Sequence, residues 1–166
     1  MHILINKKYL TYSKYKVKCA IGKRGIGQKK KEGDLITPTG QHKIKYILFR
    51  KDRIKKIQSK LRKIEIKKDM GWCDDPRSRQ YNKLIKLPFN YSHEKLYKKE
   101  NIYDIILVLN FNMKPVIKNK GSAIFIHIAS GNFKKTEGCI ALKKRHLIKI
   151  LQELGRNTKV KIENRK

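Results

Sequence analysis

Residues 121 to 142 read GSAIFIHIASGNFKKTEGCIAL, and the rest of the chain is organised around them. The apolar run Ile124-Phe125-Ile126 has the composition of a short buried strand and delivers His127 at its end. A polar turn through Ser130-Gly131-Asn132 follows, and Thr136-Glu137-Gly138 sets Cys139 at the mouth of the next apolar run. Twelve residues separate the histidine from the cysteine, enough for the chain to leave a strand, turn and return beside it. Neighbouring strands lie about 5 Å apart, so the two side chains meet if they point to the same face. A thiol is a poor nucleophile until its proton goes to a base, and an imidazole both takes that proton and holds the thiolate as an ion pair. Cys139 is therefore the candidate nucleophile and His127 its base. Gly138 tolerates the dihedrals of a sharp turn and a close approach to the backbone, so the N–H groups of Gly138 and Cys139 are candidates for an oxyanion hole. The bland alternative is a core histidine beside an inert buried cysteine.

At these residues the chain resembles the L,D-transpeptidases of bacterial cell walls, the YkuD-type catalytic domain. Members carry a histidine on a strand and, further on, a Ser/Thr-His-Gly-Cys segment with the nucleophile. The matching positions are His127, Thr136, Gly138 and Cys139. The likeness extends to Glu32-Gly33-Asp34, Thr37-Pro38-Thr39-Gly40, the segment Gly71 to Pro76 and the strand Tyr103 to Leu109, so it covers most of the chain from Lys16 to Ile162. Two positions depart from the commoner pattern: Glu137 replaces the second histidine, and Ala141 stands where an arginine or asparagine is usual. These changes leave nucleophile, base and turn glycine in place and alter the walls of the acyl site. The resemblance implies a β-sandwich or barrel-like β core with a helix after Cys139, acyl transfer on peptidoglycan stem peptides through a thioester, and a place in the periplasm or cell envelope. It also sets the loop Gly22 to Asp34 along the active-site groove.

Composition narrows the alternatives. A chain of 166 residues with 39% hydrophobic content suits one domain, 1–166, with a real core. No apolar window approaches the roughly 18 residues of a membrane helix, and the apolar start Ile3 to Ile5 is too short for a secretory signal, so no export signal is visible. The net charge of +30 invites a nucleic-acid partner, because cationic surfaces release counterions from phosphates. Against that, lysines run from Lys7 to Lys166 without any nucleic-acid-binding signature. Surface solvation is the better reading, and an anionic wall polymer or acidic peptide stems would also be attracted. The three cysteines, Cys19, Cys73 and Cys139, form no CxxC pair, and the histidines are scattered. No metal and no cofactor are expected. Cys19 and Cys73 read as small buried hydrophobes, with a disulfide between them as the alternative.

Along the chain, Ile3 to Ile5, Tyr9 to Tyr12 and Val17 to Ile21 have strand character, and Gly22 to Asp34 reads as a flexible loop. A strand over Lys43 to Phe49 follows. Ile54, Ile57, Leu61 and Ile64 lie at helical spacing, giving either a short amphipathic helix or a loop pinned by isoleucines. In GWCDDPRSRQYN, residues 71 to 82, Asp74 and Asp75 suit a turn cap before Pro76. The functional reading of the same segment gives Arg77 and Arg79 to a substrate carboxylate, with Tyr81 and Asn82 adding hydrogen bonds; Thr136 joins them as a substrate contact by resemblance. Ser92 to Glu100 reads as a short capped helix, Tyr103 to Leu109 as a buried central strand, Lys143 to Leu154 as a helix stopped by Gly155, and Val160 to Ile162 as a last strand before a frayed tail, residues 163–166. A mostly β or α+β fold follows. The expected protein is a monomeric L,D-transpeptidase-like cysteine acyltransferase acting on stem peptides. The rivals are a stem hydrolase or amidase using the same pair, and a basic polymer-binding protein in which the pair is inert.

Overall fold

A computed structural model describes residues 2–164. Met1, Arg165 and Lys166, the last two part of the expected frayed tail, lie outside the described residues. In chain order the strands are β1 (His2–Asn6), β2 (Tyr9–Tyr12), β3 (Tyr15–Ala20), β4 (Ile26–Gly27), β5 (Thr37–Pro38), β6 (Gly40–Phe49), β7 (Lys63–Glu65), β8 (Met70–Cys73), β9 (Leu84–Lys86) and β10 (His93–Lys95). A 3-10 turn at Asn101–Tyr103 leads into β11 (Ile105–Leu109), β12 (Phe125–Ile128) and β13 (Ile140–Leu142); the helix α1 (Lys144–Glu153) and β14 (Lys159–Glu163) complete the chain.

Eight of these strands form a ring in the order β11-β12-β13-β3-β2-β1-β14-β6, which closes through the antiparallel pairing of β6 with β11. The length of β6 makes closure possible: its first half pairs with β14 through Gly40 to Lys43, and its second half carries β7 through Ile47 to Phe49. Inward-facing Ile3, Ile5, Leu107, Ile126, Ile140 and Ile162 fill the interior, as expected where a small barrel is just wide enough for side chains. From α1, Leu147, Ile150 and Leu151 join the same cluster. No helix among the described residues is long and apolar enough to cross a membrane.

A small sheet, β10-β8-β9, covers part of the barrel's outer wall. It sets Trp72 and nearby Leu96 against Leu48, Ile106, Val108 and Phe125, with the Trp72 and Phe125 rings edge to face at 5.2 Å. Thus β11 is buried on both sides, which is why its sequence is apolar without alternation.

Two local expectations change and one open alternative is decided. Ser92 to Glu100 is not a helix: His93 to Lys95 pair with Gly71 to Cys73 as β10, and sheet pairing overrides the weak helical preference of a short segment. The isoleucine stripe of 50–68 is the pinned loop rather than the helix, with Ile54 and Leu61 buried in the main core and a brief strand at β7. Gly22 to Asp34 is built rather than loose. The Asp34 carboxylate accepts from the Lys29 ammonium at 2.6 Å and from the N–H groups of Lys30 and Ile36, while β4 pairs in parallel with β5. Cys19 and Cys73 are free and buried.

Candidate active site

Strands β12 and β13 run parallel, with Ile126 opposite Ile140 and His127 opposite Ala141. Side chains alternate across a strand, so Ile126 and Ile140 enter the barrel, while His127, Ala141 and the preceding Cys139 fall on the outer face. His127 is 8% exposed and Cys139 partly exposed. The 12-residue excursion therefore returns nucleophile and base to one face of neighbouring strands.

At rest they do not share a proton. The Cys139 thiol donates to the Ala123 carbonyl at 3.0 Å, and its sulfur accepts from the Phe125 N–H at 3.4 Å; no hydrogen bond joins it to His127 among the described residues. Burial pushes the thiol up to about 12, against the smaller pull of the Phe125 N–H. Burial likewise lowers His127, opposed by the carbonyls of Ile128 and Ile102 and by the Glu94 carboxylate. The expected thiolate–imidazolium pair is thus replaced by a neutral thiol and a neutral ring, because desolvation disfavours both charged forms. His127 Nδ1 lies 2.9 Å from the Ile128 carbonyl, so it carries the N–H and leaves Nε2 as the basic nitrogen.

The turn before Cys139 is held from inside. Gly138 has φ +141°, and a Cβ there would sit 3.0 Å from the Ile36 carbonyl oxygen. Its carbonyl accepts from the Thr37 hydroxyl at 2.9 Å, and its N–H donates to Thr136 Oγ1 at 3.2 Å. Thr136 Oγ1 in turn donates to the Cys139 carbonyl at 2.5 Å. The Gly138 N–H is thus engaged in its own turn rather than offered to an oxyanion, and the Thr136 hydroxyl clamps the turn rather than reaching outward. The Cys139 N–H makes no loop or side-chain hydrogen bond among the described residues and is the open backbone donor beside the sulfur.

The segment 71–82 braces the site from behind. Tyr81 and Asn82 are 1% and 2% exposed. The Tyr81 hydroxyl donates to the Glu32 carboxylate and accepts from the Gly121 N–H. Asn82 Oδ1 accepts from the Trp72 indole N–H and the Ala123 N–H, both at 3.1 Å, while Nδ2 donates to the carbonyls of Phe111 and Asn112. Both side chains spend their polar atoms on the chain itself, which makes them supports rather than substrate contacts. Arg77 is likewise committed, since its guanidinium forks onto the Asp75 carboxylate at 3.0 and 2.7 Å. Arg79 is exposed on the same loop. Glu137 is exposed and lies 3.7 Å from Lys23. Ala141 is buried between His127 and Ala20.

The sequence model of the L,D-transpeptidase catalytic domain, YkuD, matches residues 2–162. The chain belongs to this family. No curated protein matches it.

In this YkuD domain one wall of the site had no sequence signal. The Tyr103 ring meets the His127 ring edge on at 5.3 Å, Lys98 Nζ lies 5.2 Å from the Tyr103 centroid, and Lys98 binds Glu94 at 2.7 Å. Glu94 lies close enough for its charge to act on Tyr103, His127 and Cys139. Three residues from the segment before β11 thus press on the base. Glu94 and Lys98 fell in the segment expected to be a helix, and only the pairing of Glu94 with Trp72 across β10 and β8 turns that carboxylate toward the site.

Proposed function

We propose that this YkuD domain transfers acyl groups of peptidoglycan stem peptides through a thioester on Cys139. The observation that carries this reading is the placement of a partly exposed cysteine and a buried histidine on one face of adjacent parallel strands. As the stem carbonyl approaches, the thiol leaves the Ala123 carbonyl and gives its proton to His127 while Sγ bonds the carbonyl carbon. The Cys139 N–H meets the developing oxyanion. The imidazolium is supported by the carbonyls of Ile128 and Ile102 and by Glu94, and returns its proton to the leaving amine as the C–N bond breaks. An amine of a second stem then attacks the thioester, regenerating the thiol and forming a crosslink. This chemistry belongs to the cell envelope, where the family's substrate lies.

Incubation with purified muropeptides followed by mass spectrometry tests the reaction. Crosslinked dimers, absent with Cys139→Ala and His127→Ala, are the expected result. Shortened stems would replace the amine with water as acceptor and make the protein a hydrolase. Unchanged peptides, with no acyl adduct on Cys139, would overturn the catalytic reading.

A further inference from the structure

Asn82 and Trp72, which hold the Ala123 loop behind the nucleophile, also line a cleft of about 630 Å³ that none of the chemistry above uses. Its size lies within the roughly 300–1,000 Å³ of small-ligand sites. Lys45, Lys83, Lys114 and Lys120 stand around it, and no aspartate or glutamate lines it. None of these four ammonium groups takes part in an ion pair among the described residues. In a chain of net charge +30, exposed lysines alone mean little. What sets these four apart is that they surround a concavity whose walls include the half-buried rings of Tyr46 and Phe111. The amide of Asn110 uses its oxygen on the Lys43 N–H and keeps its NH2 available as a donor.

We infer that this cleft binds an anionic saccharide, its ring faces lying on Tyr46 and Phe111 and its carboxylate or phosphate among the four lysines. The apolar C–H face of a sugar suits an aromatic ring, and ammonium groups without local counter-charges gain most from an anion in a partly enclosed site. The Asn82 side chain lies in the cleft wall and holds Ala123, whose carbonyl holds the Cys139 thiol. The bound saccharide would thus be linked to the sulfur through the Asn82 side chain and the Ala123 backbone. Binding is independent of acylation, so a Cys139→Ala protein should bind as the wild type does.

The test is a titration, followed by NMR, with a uronate-containing disaccharide, its methyl ester and N-acetylglucosamine 6-phosphate. The expected result is a shift of the Trp72 indole and Asn110 amide signals with at least one of the two anions, at least tenfold weaker binding of the ester than of the acid if the carboxylate is the recognised group, and at least tenfold weaker binding to a K45Q/K83Q/K114Q/K120Q variant. The tighter of the two anions identifies the source of the charge. A K8Q/K14Q/K60Q/K149Q variant of equal charge should bind within about twofold of the wild type. Equal loss in both quadruple variants would reduce the affinity to bulk charge. Equal binding of ester and acid with no binding of the phosphate, or no shift with either anion, would overturn the inference. So would tighter binding of a DNA oligonucleotide at the same signals.

Discussion

The Cys139 thiol is hydrogen-bonded to the carbonyl of Ala123, 3.0 Å away, while the N–H of that same residue is held by Asn82. One backbone unit therefore links the nucleophile to the buried brace behind it, and Ala123 adopts φ +51°, a conformation an alanine keeps only when its surroundings impose it. Asn82→Ala removes four hydrogen bonds and leaves several buried groups unpaired, which should cost about 2–4 kcal/mol. The denaturant midpoint measures it. Acyl-adduct formation on Cys139 should fall further than the remaining folded fraction accounts for, and a wild-type midpoint would remove the brace from the account.

Cys139 should behave as a neutral thiol across the physiological range. Its acidity is displaced from the ordinary 9.0 up to about 12, so alkylation at Cys139, followed by peptide mass, should keep rising with pH and show no plateau near neutrality. A plateau below pH of about 8 would mean a resting thiolate. The folded thiol binds its proton more tightly than the unfolded one. Its contribution to stability is therefore complete below about pH 9 and is lost as pH rises toward about 12, with buried Cys19 acting in the same sense.

Glu94 raises the proton affinity of both His127 and Cys139. Glu94→Gln should therefore shift the pH profile of thioester formation to lower pH, its acid limb moving with the imidazole. Tyr103→Phe, which keeps the ring against His127, should preserve the profile better than Tyr103→Ala. An unshifted profile in Glu94→Gln would confine this carboxylate to a structural role with Lys98.

Gly138→Ala places a Cβ against the Ile36 carbonyl at a φ that alanine avoids. A destabilisation of about 1–3 kcal/mol is expected, together with loss of acylation, since the Thr37 and Thr136 clamps converge on this turn. Thermal unfolding and adduct mass read the two effects separately.

Lys29 and Asp34 form an ion pair whose side chains are 3% and 4% exposed. Lys29→Met leaves the carboxylate buried without its counter-charge and should cost about 3–5 kcal/mol, whereas replacing both partners by apolar residues should cost much less. Burial alone would raise Asp34, but Lys29 and the N–H groups of Lys30, Ile36 and Lys31 outweigh it and hold the carboxyl down at about 2. A carboxyl held low in the folded state stabilises the protein above its unfolded value near 3.8, and this stability is lost as pH falls through about 2. Acid unfolding of the wild type should therefore deepen in that window, and the doubly replaced protein should lack this component.

The sequence by itself determined the strands around the barrel, the buried character of β11, the helix after Cys139, and the return of His127 and Cys139 to neighbouring positions. Each is written in short-range terms: an alternation, an apolar run, a helical spacing, a turn glycine. Tertiary structure alone decided which way the polar groups point. Arg77, Tyr81 and Asn82 carry the chemistry of ligand binding, yet a carboxylate two residues away and the backbone of distant loops consume it. Glu94 has no local signal and acquires its place at the base only through pairing with β8. Protonation was decided there too. The cost of burying charge depends on how much water the fold removes from around the sulfur and the imidazole, and that is set by the whole packed wall, from Phe125 and Tyr103 to Trp72, that no stretch of chain encodes alone.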